Sequence, residues 1–170
     1  MTRVLFICTH NSGRSQMAEA YLNLLGGGDF EAESAGLEPR AVNPYVVRAM
    51  FEQGIDISDA VSKSVFETFK AGKFFDYIIT VCDDADPECP IYPSMSRCIH
   101  YPFHDTSSYT GTPEDTIAQV RVVRDAIKEF VLQFILDARR LNYQDSKEKP
   151  VVCQAKPYMT KNTSSKGRAI

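Results

Sequence analysis

Arg3-Val4-Leu5-Phe6-Ile7-Cys8-Thr9-His10-Asn11-Ser12-Gly13-Arg14-Ser15 is the stretch that decides the fold. Residues 3–7 are nearly continuous in apolar side chains and read as a strand buried on both faces. Residues 8–15 form a small polar loop with one glycine. A helical pattern follows at once, with Met17, Ala18, Tyr21, Leu22 and Leu25 recurring at spacings of three and four. Gly26-Gly27-Gly28 stops it. A strand, a tight polar loop and a helix open a βαβ unit.

Further along the chain the same alternation continues. Residues 30–34 read as a weak second strand, ended by Ser34-Ala35-Gly36. Asn43-Pro44 starts a helix, with Asn as N-cap and Pro at the first helical position. Val47, Met50 and Phe51 are its expected apolar face, and Gly54 its end. A short helix is expected over 64–71, a β-branched strand over 77–81 and a fourth strand over 97–100. Thr112-Pro113-Glu114-Asp115 starts the longest helix, which carries an apolar stripe from Ile117 to Ile135. Arg139-Arg140 suits its C-terminus. The expected fold is α/β, a three-layer α/β/α sandwich around a four-stranded parallel sheet. From Ser146 the composition turns basic and periodicity is lost, so 1–142 is read as the catalytic domain and 143–170 as a flexible polar tail.

The bulk numbers agree with one globular domain. The chain has 170 residues, 44% apolar and 24% charged. Nineteen basic against 22 acidic residues give a net charge of −3, which argues against a nucleic-acid partner. No apolar run reaches the roughly 18–20 residues of a membrane span, and the N-terminal run is too short for a signal-peptide core. A cytosolic (cytoplasmic) monomer is expected. In such a compartment Cys8, Cys82, Cys89, Cys98 and Cys153 are expected to be free thiols, metal ligands or redox catalysts rather than static bridges. Without a Cys-x2-Cys pair, and with only His10, His100 and His104, a structural zinc site is not expected and no metal or other cofactor is called for.

The chemistry lies in the Cys8-x5-Arg14 loop. A loop closing onto a helix N-terminus aims several backbone N–H groups at one point. Arg14 adds a planar cationic fork that can grip two oxygens of a tetrahedral oxyanion. Thr9, His10, Asn11, Ser12, Gly13 and Arg14 are therefore the expected substrate-binding residues. Cys8 at the bottom of this cup is the expected nucleophile, its thiolate favoured by the surrounding positive charge. Ser15 is placed to donate to that thiolate, and Asn11 to stiffen the loop through its own backbone. Gly13 is read as easing the backbone and carrying no chemistry.

Cys8-x5-Arg14-Ser15, followed by Gln16-Met17-Ala18-Glu19-Ala20, resembles the signature of the low-molecular-weight tyrosine phosphatase family, and most of all the arsenate reductases that share its fold. Ser34-Ala35-Gly36, Gly54-Ile55-Asp56-Ile57-Ser58, Thr80-Val81-Cys82 with Cys89-Pro90, and His100-Tyr101-Pro102-Phe103-His104-Asp105 match as well. The resemblance covers roughly residues 3–137 and implies a low-molecular-weight phosphatase-like fold. The cup takes arsenate and phosphate alike, but Cys82 and Cys89 distinguish the two activities. Cys82 follows a strand whose C-terminal end shares the edge of Cys8. The resemblance implies a relay of the thioredoxin-coupled type. Cys8 attacks arsenate, Asp105 protonates the departing oxygen, and arsenite leaves as a Cys8–Cys82 disulfide forms. Cys82–Cys89 follows, and thioredoxin reduces it.

The residues leave thioredoxin, glutaredoxin and a small thiol open as reductants, with the Cys82 and Cys89 pair arguing for thioredoxin. The alternative reading is a tyrosine phosphatase working through a Cys8 phosphoenzyme. It is disfavoured because no Asp-Pro-Tyr occurs and Asp86-Pro87 leads into Glu88. A non-catalytic oxyanion sensor is disfavoured by the presence of both Cys8 and an acid. Cys98 is read as core packing, Cys153 as outside the relay, and His104 as facing solvent. Asp83, Asp84 and Asp86 are read as solvated turn residues. Some members hold potassium through residues matching Asn11, Glu19 and Ser34 plus an acid. Lys63 stands at that acid's position, and its ammonium is expected to replace the cation beside Glu19.

Overall fold

A computed structural model of the chain describes residues 1–83 and 96–145, the side chains as far as residue 141. Cys89, Cys153, Asp84, Asp86 and the expected tail from residue 146 fall outside the described residues, while 143–145, expected in that tail, continue the last helix. Strands β1 (Thr2–Cys8), β2 (Phe30–Gly36), β3 (Tyr77–Thr80) and β4 (Arg97–His100) form one sheet in the order β2-β1-β3-β4, every pair parallel. Side chains alternate across it. Val4, Phe6, Cys8, Tyr77 and Ile79 face one core; Leu5, Ile7, Ala35 and Ile78 face the other. Helices α1 (Arg14–Leu25), α2 (Pro44–Phe51) and α4 (Pro113–Asp145) cover the first face, and the short α3 (Val65–Lys70) the second. This is the expected three-layer α/β/α arrangement around a four-stranded parallel sheet.

The helix starts follow their caps. Asn43 Oδ1 accepts the N–H of Tyr45 at 2.9 Å, with Pro44 opening the helix, and Ser64 Oγ accepts the N–H of Phe66 at 3.2 Å. Thr112 and Asp115 cap α4 reciprocally: the Asp115 N–H donates to Thr112 Oγ1 at 3.1 Å, and the Thr112 N–H to Asp115 Oδ2 at 3.3 Å.

Three expectations are corrected. Cys98 is exposed rather than buried. It lies on β4 at the edge of the sheet, opposite Ile78, while α3 packs against β2 at the other edge. The buried face of α2 is Val46, Ala49 and Met50, and Phe51 is 66% exposed. In so short a helix one residue of rotation, about 100°, is enough to turn Phe51 away from the core. Finally, α4 runs to Asp145, past Arg139-Arg140. Arg139 does not end the helix but ties it sideways to the turn after α1, through Asp29 Oδ2 at 2.8 Å and Gly26 O at 3.2 Å.

Candidate active site

The loop between β1 and α1 is held from outside by its carbonyl groups. Thr9 O accepts from the Glu38 N–H at 2.9 Å, His10 O from Arg40 at 3.0 Å, and Ser12 O from Asn43 at 2.8 Å. Asn11 O accepts from Ser62 Oγ at 2.7 Å and Gly13 O from the Met17 N–H at 2.9 Å. In a trans peptide the N–H points opposite to the preceding C=O, and the described chain has no cis bond. The amides of His10, Asn11, Ser12, Gly13 and Arg14 are thereby turned away from these outer partners, toward the centre of the loop. The Asn11 N–H shows the direction: it donates to Cys8 Sγ at 3.1 Å. The packing needs Gly36, where a Cβ would lie 2.7 Å from Asn11 N and 2.9 Å from the His10 carbonyl carbon.

Asn11 is the keystone. Its φ is +50°, the one left-handed non-glycine residue described. Its Nδ2 donates to Ser15 Oγ and Ser34 Oγ, each at 2.8 Å. Its Oδ1 accepts from the Lys63 N–H at 2.8 Å and Gln16 Nε2 at 3.2 Å. Asn11→Ala strips four hydrogen bonds from a fully buried site and leaves the left-handed backbone unsupported. The expected cost is about 2–4 kcal/mol of stability, with kcat/KM down about 100-fold. Thermal unfolding and initial rates on the same preparation check both numbers.

Cys8 is buried at the base of the loop, its Sγ 2.9 Å from Ser15 Oγ, as expected for these two residues. Arg14 is 3% exposed. Its Nη1 donates to Phe103 O at 3.1 Å and its Nη2 pairs with Asp105 Oδ1 at 3.2 Å. The structure thus brings Asp105 to the rim of the cup. Burial alone would push the Asp105 carboxyl up. Hydrogen bonds from the Ser107 hydroxyl and N–H, with the charges of Arg14 and His10, outweigh it and hold the group below the ordinary carboxylate range. Ser107 is absent from the sequence reading, although Asp-x-Ser is the pattern of an Asx turn. Burial, then the Asp105 charge, pushes the Tyr109 hydroxyl up, so it stays neutral beside the acid.

Cys82 comes to the same sheet edge. The Val81 N–H bonds Ile7 O at 2.8 Å, and Cys82 Sγ lies 4.0 Å from that same oxygen, one residue before Cys8. Both thiols are buried. His104 is exposed, as expected, and faces Asp83 at 3.5 Å, so Asp83 is not simply solvated. Lys63 Nζ lies 3.4 and 3.5 Å from the two carboxylate oxygens of Glu19, which also accepts from the Ser34 hydroxyl. These residues do not fit a potassium ion, because an ammonium already faces Glu19.

A strand-loop-helix cup with a cysteine at its base and an arginine at its exit is matched over residues 3–110 by the low molecular weight phosphotyrosine protein phosphatase family. The chain belongs to that family. Within the family, the chain is 38% identical over 131 residues to an arsenate reductase of Halalkalibacterium halodurans, which spans 77% of this chain and 93% of that one. It is 37% identical over 131 residues to the arsenate reductase of Bacillus subtilis, with the same shares. A solved arsenate reductase in a phosphate-binding state superposes with a TM-score of 0.66 at 33% identity, covering 81% of this chain and 98% of that one. A thioredoxin-dependent arsenate reductase of Corynebacterium glutamicum gives 0.51 at 30% identity, covering 78% and 63%.

Proposed function

We propose that the chain is an arsenate reductase whose electrons reach arsenic through thiols. The observation that carries this reading is the second buried thiol, Cys82, beside the base of the oxyanion cup. A phosphatase of this architecture needs only Cys8, an acid and water. The likeness to arsenate reductases over most of both chains supports the same reading.

In the proposed cycle, the cup amides and Arg14 hold arsenate while the Cys8 thiolate attacks arsenic and one oxygen departs as water, its proton passing through Asp105. Cys82 then attacks Cys8 Sγ. The sulfur–arsenic bond breaks, its electron pair reduces arsenic(V) to arsenic(III), and arsenite leaves as Cys8–Cys82 forms. Cys89 attacks Cys82, which gives Cys82–Cys89 and returns Cys8 as a thiolate. Thioredoxin, acting on the monomer, reduces that disulfide with its own dithiol. Because Asp105 is held ionised at rest, the proton it passes on arrives with protonated arsenate.

NADPH oxidation coupled through thioredoxin and its reductase tests the cycle. Arsenate-dependent oxidation is expected, and it should vanish in Cys89→Ser. Normal cycling of Cys89→Ser would sink the relay. Faster hydrolysis of para-nitrophenyl phosphate than reduction of arsenate would favour the phosphoenzyme reading instead. The Lys63–Glu19 pair supports one further expectation: turnover in sodium and potassium buffers of equal ionic strength agrees within about twofold. A Lys63→Asp variant, which restores an anionic site, gains potassium stimulation. Strong stimulation of the native protein contradicts this.

A further inference from the structure

Gly13 and Thr106 meet across the active site. Gly13 closes the cup just before α1, and its φ of −152° lies outside the left-handed region. What the glycine supplies toward the acid loop is space: a Cβ built there would collide with Thr106 Oγ1, lie 3.3 Å from Val46 Cγ2 and stand 3.7 Å from Thr106 Cβ. Thr106 is 3% exposed and follows Asp105 directly. Among the described residues it forms a hydrogen bond only through its carbonyl oxygen, which accepts from Asn43 Nδ2 at 3.4 Å. The Asn43 N–H in turn holds Ser12 O of the cup.

We infer that Thr106, seated in the notch left by Gly13, is a positioning residue that fixes the height of Asp105 over the oxyanion. This inference rests on the acid role of Asp105 in the proposed cycle. With the cup open, Arg14 holds the acid loop through Phe103 O and Asp105. An oxyanion competes for the same guanidinium fork. When Arg14 turns to the substrate, its tie to Asp105 weakens at the moment the acid is needed. The Thr106 seat and the Asn43 bond do not involve Arg14, so they keep the loop in register. Threonine suits the task because branching at Cβ leaves the side chain few rotamers, and displacement of an acid by about 1 Å costs on the order of 100-fold in rate.

The test is a set of four variants in the full-length protein: Asp105→Asn, Thr106→Ala, Gly13→Ala and the double Gly13→Ala/Thr106→Ala. Each is assayed for arsenate reduction and for competitive inhibition by inorganic phosphate, with thermal unfolding as a folding check. Gly13→Ala is expected to lower kcat about 100-fold and Thr106→Ala about 10-fold, with the phosphate inhibition constant within about threefold of native. In the double variant the new methyl fills the place of the lost hydroxyl, at an ordinary 3.7 Å from the remaining Cβ. It should recover kcat to within about fivefold of native, a non-additivity that general loosening of the loop would not give. Rescue with unchanged phosphate inhibition supports the seat. A double variant as slow as Gly13→Ala, or phosphate inhibition weakened in step with kcat, overturns it. If Asp105→Asn keeps native kcat, the acid reading itself fails. If Asp105→Asn is slow while Gly13→Ala is not, only the seat fails.

Discussion

Replacing Cys8 with serine is expected to lower arsenate reduction by a factor on the order of 10⁴ or more, while inorganic phosphate still binds. Two losses combine in this one substitution. An alcohol at the base of the cup is a far weaker nucleophile than a thiolate. The groups that touch it, the Asn11 N–H and the Ser15 hydroxyl, provide no strong base to activate it. Serine also cannot enter a disulfide, so the electron path ends at its first atom. Binding is carried by parts the substitution leaves in place: the amides turned inward by the outward-held carbonyls, and the buried Arg14. Calorimetric titration with phosphate beside the coupled assay separates the two effects. Residual turnover above about 1% of native, beyond the level of contaminating activity, would mean that Cys8 is not the attacking atom.

The second large effect is Cys82→Ser. Turnover supported by thioredoxin should fall at least about 1,000-fold, yet hydrolysis of an aryl phosphate, which asks nothing of Cys82, should stay within about threefold. The contrast separates a redox role from a packing role. Cys82 is fully buried, so the hydroxyl carries a desolvation cost of about 1–3 kcal/mol, partly offset by Ile7 O nearby. A fall in unfolding temperature is therefore expected in both readings. Parallel loss of both activities would show that Cys82 merely supports the cup.

The frame of the molecule is readable in the chain because its signals are local. The apolar run before Cys8, the Asn43-Pro44 start and the stripe of α4 each specify one element through a cap or a period, and the parallel order follows from their alternation. The cup is readable for the same reason, since Cys8 through Ser15 are contiguous. Contacts between distant segments are not readable in that way. Thr106 in the Gly13 notch joins residues 93 apart in sequence, and the collision that identifies it appears only in three dimensions. Ser107 on Asp105 is local, but a serine two residues after an aspartate is common in ordinary turns and does not by itself mark a catalytic acid. Cys98 fails for a different reason: a strand of four residues reads the same at the edge of a sheet as at its centre, and the strand order that places β4 outermost is a property of the assembled sheet. Lys63 is the converse case, where a single departure from the family pattern predicts a contact, with Glu19, that the fold makes.

The thiol relay is the central claim, and disulfide mapping tests it most directly. Fully reduced protein is mixed with one equivalent of arsenate, quenched with an alkylating reagent and digested for mass spectrometry. The account predicts a peptide linking Cys82 to Cys89 with Cys8 alkylated, and in Cys89→Ser a peptide linking Cys8 to Cys82. Arsenite produced while Cys82 and Cys89 both remain alkylated, or a bridge from Cys8 to Cys98 or Cys153 in their place, would contradict it.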